Sequence, residues 1–220
     1  MKKHLVFILA LLTSAAVFAA VERRSMDIKL PGQVMVEKQV IPTPAVGASG
    51  AILSGHAGPT SAAARVVTTG ISQPDVPRAI SIASGGTTAD VAACVITVTG
   101  KNILGRSISE TFTFTANESA TKTGSKAFKS ISSVSWPASC EDSPYGATWN
   151  VNTTDKLGLK ACMDKSGHLL MTTYDGAYEN TRATAVADAD EVEKNTVDPN
   201  GTLDDAKDIE AFFFQNFRCP

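Results

Sequence analysis

The chain has 220 residues, of which 43% are hydrophobic and 6% aromatic, and its formal net charge is −2. This length suits one large β domain or one domain with arms, and the hydrophobic content is too high for a disordered chain. The near-neutral charge excludes a whole-chain basic footprint for DNA or RNA, so no nucleic-acid partner is expected.

The N-terminus has the pattern of a secretory signal peptide. Lys2 and Lys3 form a positive start, residues 5–12 are apolar, and residues 17–20 offer small side chains for cleavage. The apolar run is too short for a comfortable transmembrane span, so we expect no stable membrane association once the leader, residues 1–20, is removed. A second interpretation places the natural start at Met26 and makes the preceding residues an upstream extension.

Residues 21–63 are interpreted as an extended arm followed by a Gly/Ala/Pro-rich linker. A strand is predicted over residues 33–40, after which Pro42 and Pro44 prevent continued central pairing. Residues 45–65 are rich in Gly and Ala, and the segment GHAGPTSAAAR, residues 55–65, is predicted to form a loop. We expect the arm to reach out from the globular body as far as about residue 48 and to pack on another subunit or on a shell.

Residues 64–220 contain strand-length runs separated by Gly, Pro, Asn and Ser, and many of these runs alternate apolar with small polar residues. Strands are predicted over residues 64–71, 79–84, 91–100, 108–116, 125–138, 147–151, 168–179 (a strand or a hairpin), 184–186 and 208–217. Residues 195–201 are predicted to form a turn. Runs spaced roughly 8–15 residues apart predict an all-β fold, a β-sandwich of jelly-roll or Ig-like type with an extended N-terminal arm.

The four cysteines are Cys94, Cys140, Cys162 and Cys219. Their even number permits two disulfides, in any of three pairings, if the protein is exported. Assembly in the cytoplasm would instead keep all four as thiols. No pair has C-x-x-C spacing and no histidine neighbours them, which disfavours a zinc site or a thioredoxin-like motif. Cys94 lies inside a predicted strand and is most simply a small buried apolar residue.

No catalytic constellation is found, and the protein is predicted to be non-enzymatic, with no cofactor and no metal. The histidines are His4, His56 and His168, and a G-x-S-x-G elbow is absent from the sequence. An acidic run could offer oxygen ligands to a divalent cation, but it lacks the ligand order of an EF-hand and is better interpreted as a solvated loop. This run comprises Asp188, Asp190, Glu191 and Glu193. Residues 198–205 are likewise oxygen-rich and are interpreted as a turn.

Several side chains are candidates for a contact with a partner. Lys122, Lys126 and Lys129 form a local basic patch, which is either solvated or directed at an acidic surface. Trp136 and Trp149, with Tyr145, could stack on a sugar, although core or subunit-interface positions are favoured. In the last predicted strand, phenylalanines fall on both faces, so we expect both faces to be covered, within the sandwich or at a subunit contact. The candidate interface residues are Val34, Val36, Val40, Lys126, Lys129, Trp136, Trp149, Phe212 and Phe214.

Five blocks occur in a characteristic order: TTGISQPDVPR, VITVTGKNILGRSISETF, GSKAFKSISSV, DKLGL and EVEKNTVDPNGTLDDAKDIEAFF. In this order they resemble the head decoration or cement (minor head structural) proteins of tailed phages, over residues 34–217. The resemblance implies a virion structural protein that binds and stabilises the outer surface of a capsid. It also implies the major capsid protein as partner, and self-association as a trimer or as a ring matched to the capsid subunits.

The signal-like leader departs from that family pattern. Together with the even cysteine count, it supports a competing interpretation, an exported bacterial surface or periplasmic β-sandwich binding protein. A third class, the carbohydrate-binding module, would require a concave aromatic face. The expected location is therefore the capsid surface of a virion, with the periplasm or the cell surface as the alternative.

Overall fold

A computed structural model describes residues 35–59, 63–142 and 146–215. These residues form antiparallel β-strands joined by loops and three single 3₁₀ turns, at Thr88–Asp90, Ser166–His168 and Val192–Lys194. The strands are β1 (Val36–Ile41), β2 (Leu53–Ala57), β3 (Arg65–Val67), β4 (Arg78–Gly86), β5 (Cys94–Lys101), β6 (Ser107–Phe114), β7 (Thr121–Phe128), β8 (Ser130–Trp136), β9 (Ala147–Gly158), β10 (Leu169–Tyr174), β11 (Ala177–Tyr178), β12 (Thr184–Val186), β13 (Thr196–Asp198) and β14 (Ile209–Phe214). The prediction of an all-β, sandwich-like fold is confirmed.

The strands belong to three sheets. The first has the order β1-β14-β10-β11, and the third has the order β3-β8-β5-β6. The second has the order β12-β13-β9-β4-β7, and β2 also pairs with β9. Strand β9 is 12 residues long, and it pairs with β2 through its first half and with β13 through its end. β9 therefore extends along most of the second sheet in the strand direction.

Two hydrophobic cores hold the sheets together. The larger core consists of side chains from the second and third sheets, among them Ile82, Val98 and Val151. The smaller core consists of side chains from the first sheet and from the β13 end of the second, among them Leu157 and Phe213. Because β9 contributes Val151 to one core and Leu157 to the other, this strand links the two packed layers.

Alternation in the sequence explains which faces are buried. In β5, Cys94, Ile96 and Val98 are buried, whereas Val95, between the first two, is exposed. β5 continues into β6 through a short hairpin in which the Asn102 side chain accepts hydrogen bonds from backbone N–H groups of the loop. The segment KNILGRS, with Asn and Gly between two β runs, has the composition of such a connection.

One predicted strand, over residues 125–138, is in fact two strands in different sheets. β7 ends at Phe128 and pairs with β4, whereas β8 begins at Ser130 and pairs with β5. Lys129 lies at the corner, where its backbone N–H donates to the carbonyl of Lys101 at 2.8 Å. The continuous apolar pattern hid the corner because both flanking segments point apolar side chains into the larger core.

Residues 35–48 do not extend from the body, and the prediction of an arm is wrong for this part of the segment. β1 pairs along its length with β14, and Ile41 is buried in the smaller core. The buried side chain of Gln39 donates to the Gly158 carbonyl at 3.0 Å and accepts from the Lys160 N–H at 2.7 Å. The earlier part of the predicted arm, residues 21–34, lies outside the described residues.

The pairing of β1 ends at Ile41, directly before Pro42, as expected. The chain after the prolines is held in place by side chains of β9. Backbone N–H groups of residues 47–50 donate to oxygens of β9: Gly47 to Asp155 at 2.6 Å, Ala48 to Thr153 at 3.0 Å and Gly50 to Asn152 at 2.7 Å. A Cβ atom at residue 47 would lie 2.9 Å from the Thr153 carbonyl oxygen, so only glycine fits at this approach.

A buried arginine secures the same segment. The side chain of Arg78 is fully buried, its Nη2 lies 2.7 Å from Asp75 Oδ2, and its Nη1 donates to the Ala45 carbonyl at 2.9 Å. Burial lowers the pKa of this guanidinium, against the opposing effect of Asp75 and then Asp155. Asp75 is partly exposed, but its removal would leave the buried guanidinium without its ion-pair partner, which is destabilising. Residues 45–50 therefore belong to the folded body.

Three strands differ from the sequence prediction. β2 extends into the predicted loop 55–65, and β13 lies inside the predicted turn 195–201. Both are short, and β2 is also poor in β-forming residues; each pairs with β9, which offers an adjacent ladder. β9 itself continues to Gly158 rather than ending at Val151.

Candidate docking face

The outer side of the first sheet carries an exposed apolar surface. We define the apolar face by Val36 and Val40 of β1, Met171 of β10, and Phe212 and Phe214 of β14. Val36 is 53% exposed and Val40 is 48% exposed, while the other three are half-buried. A contiguous apolar patch of this kind, rather than a single exposed residue, marks an interaction site on a soluble protein.

The strand register brings these residues together. Val36 is opposite Phe214, Lys38 is opposite Phe212, and Met171 is opposite Phe212 on the other side. Residues directly opposite on antiparallel strands project to the same face, with Cβ atoms about 4.5–5.5 Å apart. Leu170, 41% exposed, lies beside this surface where the β10 register shifts.

A single ion pair lies within the apolar face. Lys38 Nζ is 2.6 Å from Glu210 Oε1 and 5.5 Å from the centroid of the Phe212 ring. The Thr173 hydroxyl donates to Glu210 Oε2 at 2.9 Å. The hydrogen bond from Lys38, and then that from Thr173, lowers the pKa of Glu210. The charges on this face are therefore mutually compensated, which reduces the cost of covering it.

Four of the predicted interface residues lie on this one surface: Val36, Val40, Phe212 and Phe214. Val34 lies outside the described residues. The sequence did not identify Met171 as part of the surface, because its position depends on the pairing of β10 with β14, which no local pattern encodes.

The last strand is covered on one face by the protein itself. Ile209, Ala211 and Phe213 are fully buried, whereas Phe212 and Phe214, on the opposite face, are only half-buried. The His168 ring contacts Phe214 edge-on, with centroids 5.9 Å apart. Within the described chain, β14 therefore lacks the second cover expected from its phenylalanines.

The predicted basic patch is largely neutralised by neighbouring acids. Lys126 Nζ lies 3.2 Å from Glu191 Oε2 and 3.6 Å from Glu193 Oε1, and Lys122 is paired with Glu118. Lys129 is exposed at the corner between β7 and β8. The two lysines proposed for an interface are thus not part of the apolar face.

Trp136 and Trp149 are both fully buried in the larger core. The Phe114 ring contacts Trp149 edge-on, with centroids 4.8 Å apart. Burial removes both indoles from the candidate interface and from any role in stacking on a sugar. Their size and the apolar alternation of β8 and β9 explain this position. Tyr145 lies outside the described residues.

Carboxylates of the acidic run bind backbone N–H groups and a lysine of the protein itself. Asp188 accepts from the backbone N–H groups of Asp190 and Glu191, and Lys194 Nζ lies 2.9 Å from Glu191 Oε1. Burial would raise the pKa of Asp188, but the hydrogen bonds from those backbone groups and the charge of Lys194 together outweigh it, so that this pKa is lowered. The hydrogen bond from Lys194 lowers the pKa of Glu191. Among the residues that the structure describes, no group of three or more His, Cys, Asp or Glu side chains is placed to hold a metal ion.

Two of the four cysteines form a disulfide. Cys94, at the start of β5, is bonded to Cys140 in the loop before β9, and their Cα atoms are 5.3 Å apart. Cys94 is thus not only a small buried residue but also part of a cross-link within the larger core. Cys162 is buried and is also disulfide-bonded, and Cys219 lies outside the described residues.

Next to this disulfide, two carboxylates are buried. Asp90 accepts from the Gly146 N–H at 2.7 Å, and Glu141 accepts from the Ala147 N–H at 2.9 Å, while the second carboxylate oxygen of Glu141 has no partner among the described residues. Burial, and in addition the charge of Asp90, raises the pKa of Glu141 although the hydrogen bond from Ala147 opposes this. The ionised form of Glu141 therefore weakens the fold.

This geometry predicts the sign of a pH effect. Because the pKa of Glu141 is higher in the folded than in the unfolded state, its contribution is most favourable below the unfolded pKa of about 4.3 and is lost as pH rises through the folded pKa. Glu141→Gln should abolish this decline, as measured by urea unfolding across that range of pH. Glu118→Gln is the control, since the pKa of Glu118 is lowered by Lys122 and its variant should change in the opposite direction. Equal pH profiles for Glu141→Gln and the parent protein would contradict the prediction.

No helix in the described part of the chain is long and apolar enough to span a bilayer. Comparisons of the chain with protein-family models, with curated proteins and with solved structures gave no match.

Proposed function

We propose that this protein is a non-enzymatic virion structural protein that binds the outer surface of a tailed-phage capsid and stabilises it. The observation that carries the proposal is the apolar face, an uncovered surface centred on phenylalanine with a compensated ion pair. The resemblance of the ordered sequence blocks to head decoration proteins supports the major capsid protein as the partner. A decoration protein acts by burying surface across joints between capsid subunits, which requires about 800 Å² or more per partner.

The sheet edges support docking through a face rather than through strand addition. β3 and β12 have three residues each and β11 has two, too short to serve as templates. Between β6 and β7, the Glu110 carboxylate accepts from the Ser125 N–H at 2.6 Å and so covers that edge. On β1, which is also an edge strand, Lys38 and Glu37 are charged, and Lys160 Nζ lies 2.6 Å from Glu37 Oε1; charged side chains on an edge strand disfavour strand addition.

A charge placed on the apolar face should weaken docking. Phe212→Glu removes an aromatic contact worth roughly 1.5–3 kcal/mol and buries a carboxylate, so binding to virions depleted of this protein should weaken at least about tenfold. Co-sedimentation with such virions measures the effect. Val66→Glu is the matched control, since Val66 is 58% exposed on β3, far along the chain and in another sheet. Equal loss of binding in both variants would reject this face as the contact.

The location is tested independently by mass spectrometry of purified virions. We expect the chain in the head fraction, in numbers related to the capsid subunits. Absence from virions, or presence only in tails, would refute the decoration role. The same sample reports where the mature chain begins, and so distinguishes a cleaved leader from a start at Met26.

Self-association, as a trimer or a ring matched to the capsid subunits, is part of the proposal because closed symmetry is the rule for such assemblies. Light scattering of the free protein should detect it at high concentration. Monomers both in solution and on the capsid would reject self-association. The docking role would then be tested by the virion experiments alone.

A second candidate is an exported bacterial surface or periplasmic binding protein. The observation in its favour is the disulfide between Cys94 and Cys140, because disulfides persist in oxidising compartments. A released virion is also exposed to an oxidising environment, so the bond is compatible with both candidates. Recovery of the chain from the periplasm of uninfected cells, and not from virions, would favour the exported protein.

A further inference from the structure

A concave site lies between the β10–β11 hairpin of the first sheet and the loop that follows β13. It is a cavity of about 300 Å³, at the lower end of the range for small-molecule sites, and suits a single small ring rather than a long chain. Its lining includes Tyr174, Tyr178, Glu179, Asn180, Asn200 and Gly201.

The local sequence builds this site from two turns. Asp175 and Gly176 both have positive φ, +46° and +78°, which is the geometry of the tight turn that joins β10 to β11. The turn places Tyr178 two residues after the glycine, where its side chain is 69% exposed. An exposed tyrosine at the wall of a cavity offers an apolar ring surface and a polar hydroxyl.

The opposite wall is held in place by hydrogen bonds. The Gly201 N–H donates to Glu179 Oε1 at 2.8 Å, and the Tyr174 hydroxyl donates to the Gly201 carbonyl. A Cβ atom at residue 201 would lie 2.9 Å from the Tyr174 ring, so the backbone and the ring are in close contact there. The wall is therefore formed before any ligand arrives, which reduces the entropy cost of binding.

Two amide side chains complete the lining. Asn180 and Asn200 are exposed, and within the described residues neither side chain has a hydrogen-bond partner. Each amide offers two donors and one acceptor oxygen. A sugar ring needs this combination, because its C–H face packs on an aromatic ring while its vicinal hydroxyls both donate and accept.

The surroundings of the site are negative. The pKa of Tyr174 is raised well above its usual range, by burial first and then by the charges of Glu179, Asp155, Asp204 and Asp198. The same field keeps the phenol protonated and disfavours an anionic ligand. A second cavity, of about 280 Å³ and lined by Arg182 and small residues, has no aromatic side chain and does not share these features.

We propose that the cavity at the β10–β11 hairpin binds a neutral pyranose sugar, with Tyr178 as the stacking surface and Asn180 and Asn200 as hydrogen-bonding groups. The proposal is independent of docking through the apolar face, whose residues are not in the lining. It would let the protein contact glycans on a cell surface, whether the chain is carried by a virion or exported.

Saturation-transfer NMR on the full chain tests the proposal. The neutral probes are methyl β-D-galactopyranoside, methyl α-D-mannopyranoside and N-acetylglucosamine, and the anionic probe is N-acetylneuraminic acid. We expect transfer to the ring protons of at least one neutral probe and weaker or no transfer to the anionic one. Absence of transfer to all neutral probes at about 10 mM, a concentration above the millimolar Kd of a weak site, would overturn the proposal.

Variants locate the binding. Tyr178→Ala should weaken it at least about fivefold, Tyr178→Phe should retain it because stacking does not need the hydroxyl, and Asn200→Ala should weaken it. Val66→Ala is the control for an exposed side chain elsewhere. Unchanged melting temperatures exclude unfolding as the cause. Equal transfer in Tyr178→Ala and the control would overturn the assignment, as would stronger binding of the anionic sugar.

Discussion

Phe213→Ala is expected to lower the free energy of unfolding by about 3–5 kcal/mol. The Phe213 side chain is fully buried in the smaller core, and β14 lies between β1 and β10 in the first sheet. Truncation leaves a cavity among rigid strands that cannot collapse to fill it. Guanidinium unfolding followed by far-UV circular dichroism measures the change.

The neighbouring phenylalanine provides the control. Phe212 is half-buried on the opposite face, so Phe212→Ala should cost clearly less stability than Phe213→Ala while it weakens docking. The pair thus separates folding from binding on adjacent residues of one strand. If Phe213→Ala lowered the unfolding free energy by less than about 1 kcal/mol, β14 would not be an integral part of the core.

The second large effect is expected from removal of the Cys94–Cys140 disulfide. The cross-linked cysteines are 46 residues apart in sequence, and the chain-entropy relation then gives a stabilisation of about 4 kcal/mol. The double variant Cys94→Ala/Cys140→Ala should therefore unfold at a markedly lower guanidinium concentration than the parent. Both side chains belong to the larger core, so the loss of packing adds to the effect.

Reduction of the parent protein is the matching experiment. A reducing agent should destabilise the parent more than the double variant, because only the parent still has this bond to lose. A double variant as stable as the parent would mean that the two cysteines act only as small apolar residues. Since the bond fixes Cys140, the residue directly before Glu141, its removal should also reduce the pH effect described above.

The apolar face and the disulfide address different aspects of function. The apolar face indicates that the protein binds a partner. The disulfide is a bond of the kind that persists in oxidising surroundings. Tight β-sheet packing, a cross-link and covered edges are useful to a protein that must survive outside a cell. They do not by themselves distinguish a capsid from a bacterial surface, which is why the virion experiments carry the proposed function.

The amino-acid sequence by itself determined the class of fold and several local elements. The β-branched alternation of β5 and β6 and the polar residues between them predict a hairpin, because side-chain period and turn chemistry are local properties. The same period placed Phe213 on one face of the last strand and Phe212 and Phe214 on the other, as observed.

Only the tertiary structure decided which strands become neighbours. β1 and β14 come from opposite ends of the described chain, and their pairing converts a predicted arm into a sheet strand and assembles the apolar face. β2 and β13 exist because β9 runs beside them, and residues 47–50 are ordered by side-chain oxygens of that strand. Pairing and register depend on contacts between residues distant in sequence, whose free energy no local pattern contains. Contacts between residues distant in sequence also bury Trp136 and Trp149, which were candidates for the interface on the sequence alone.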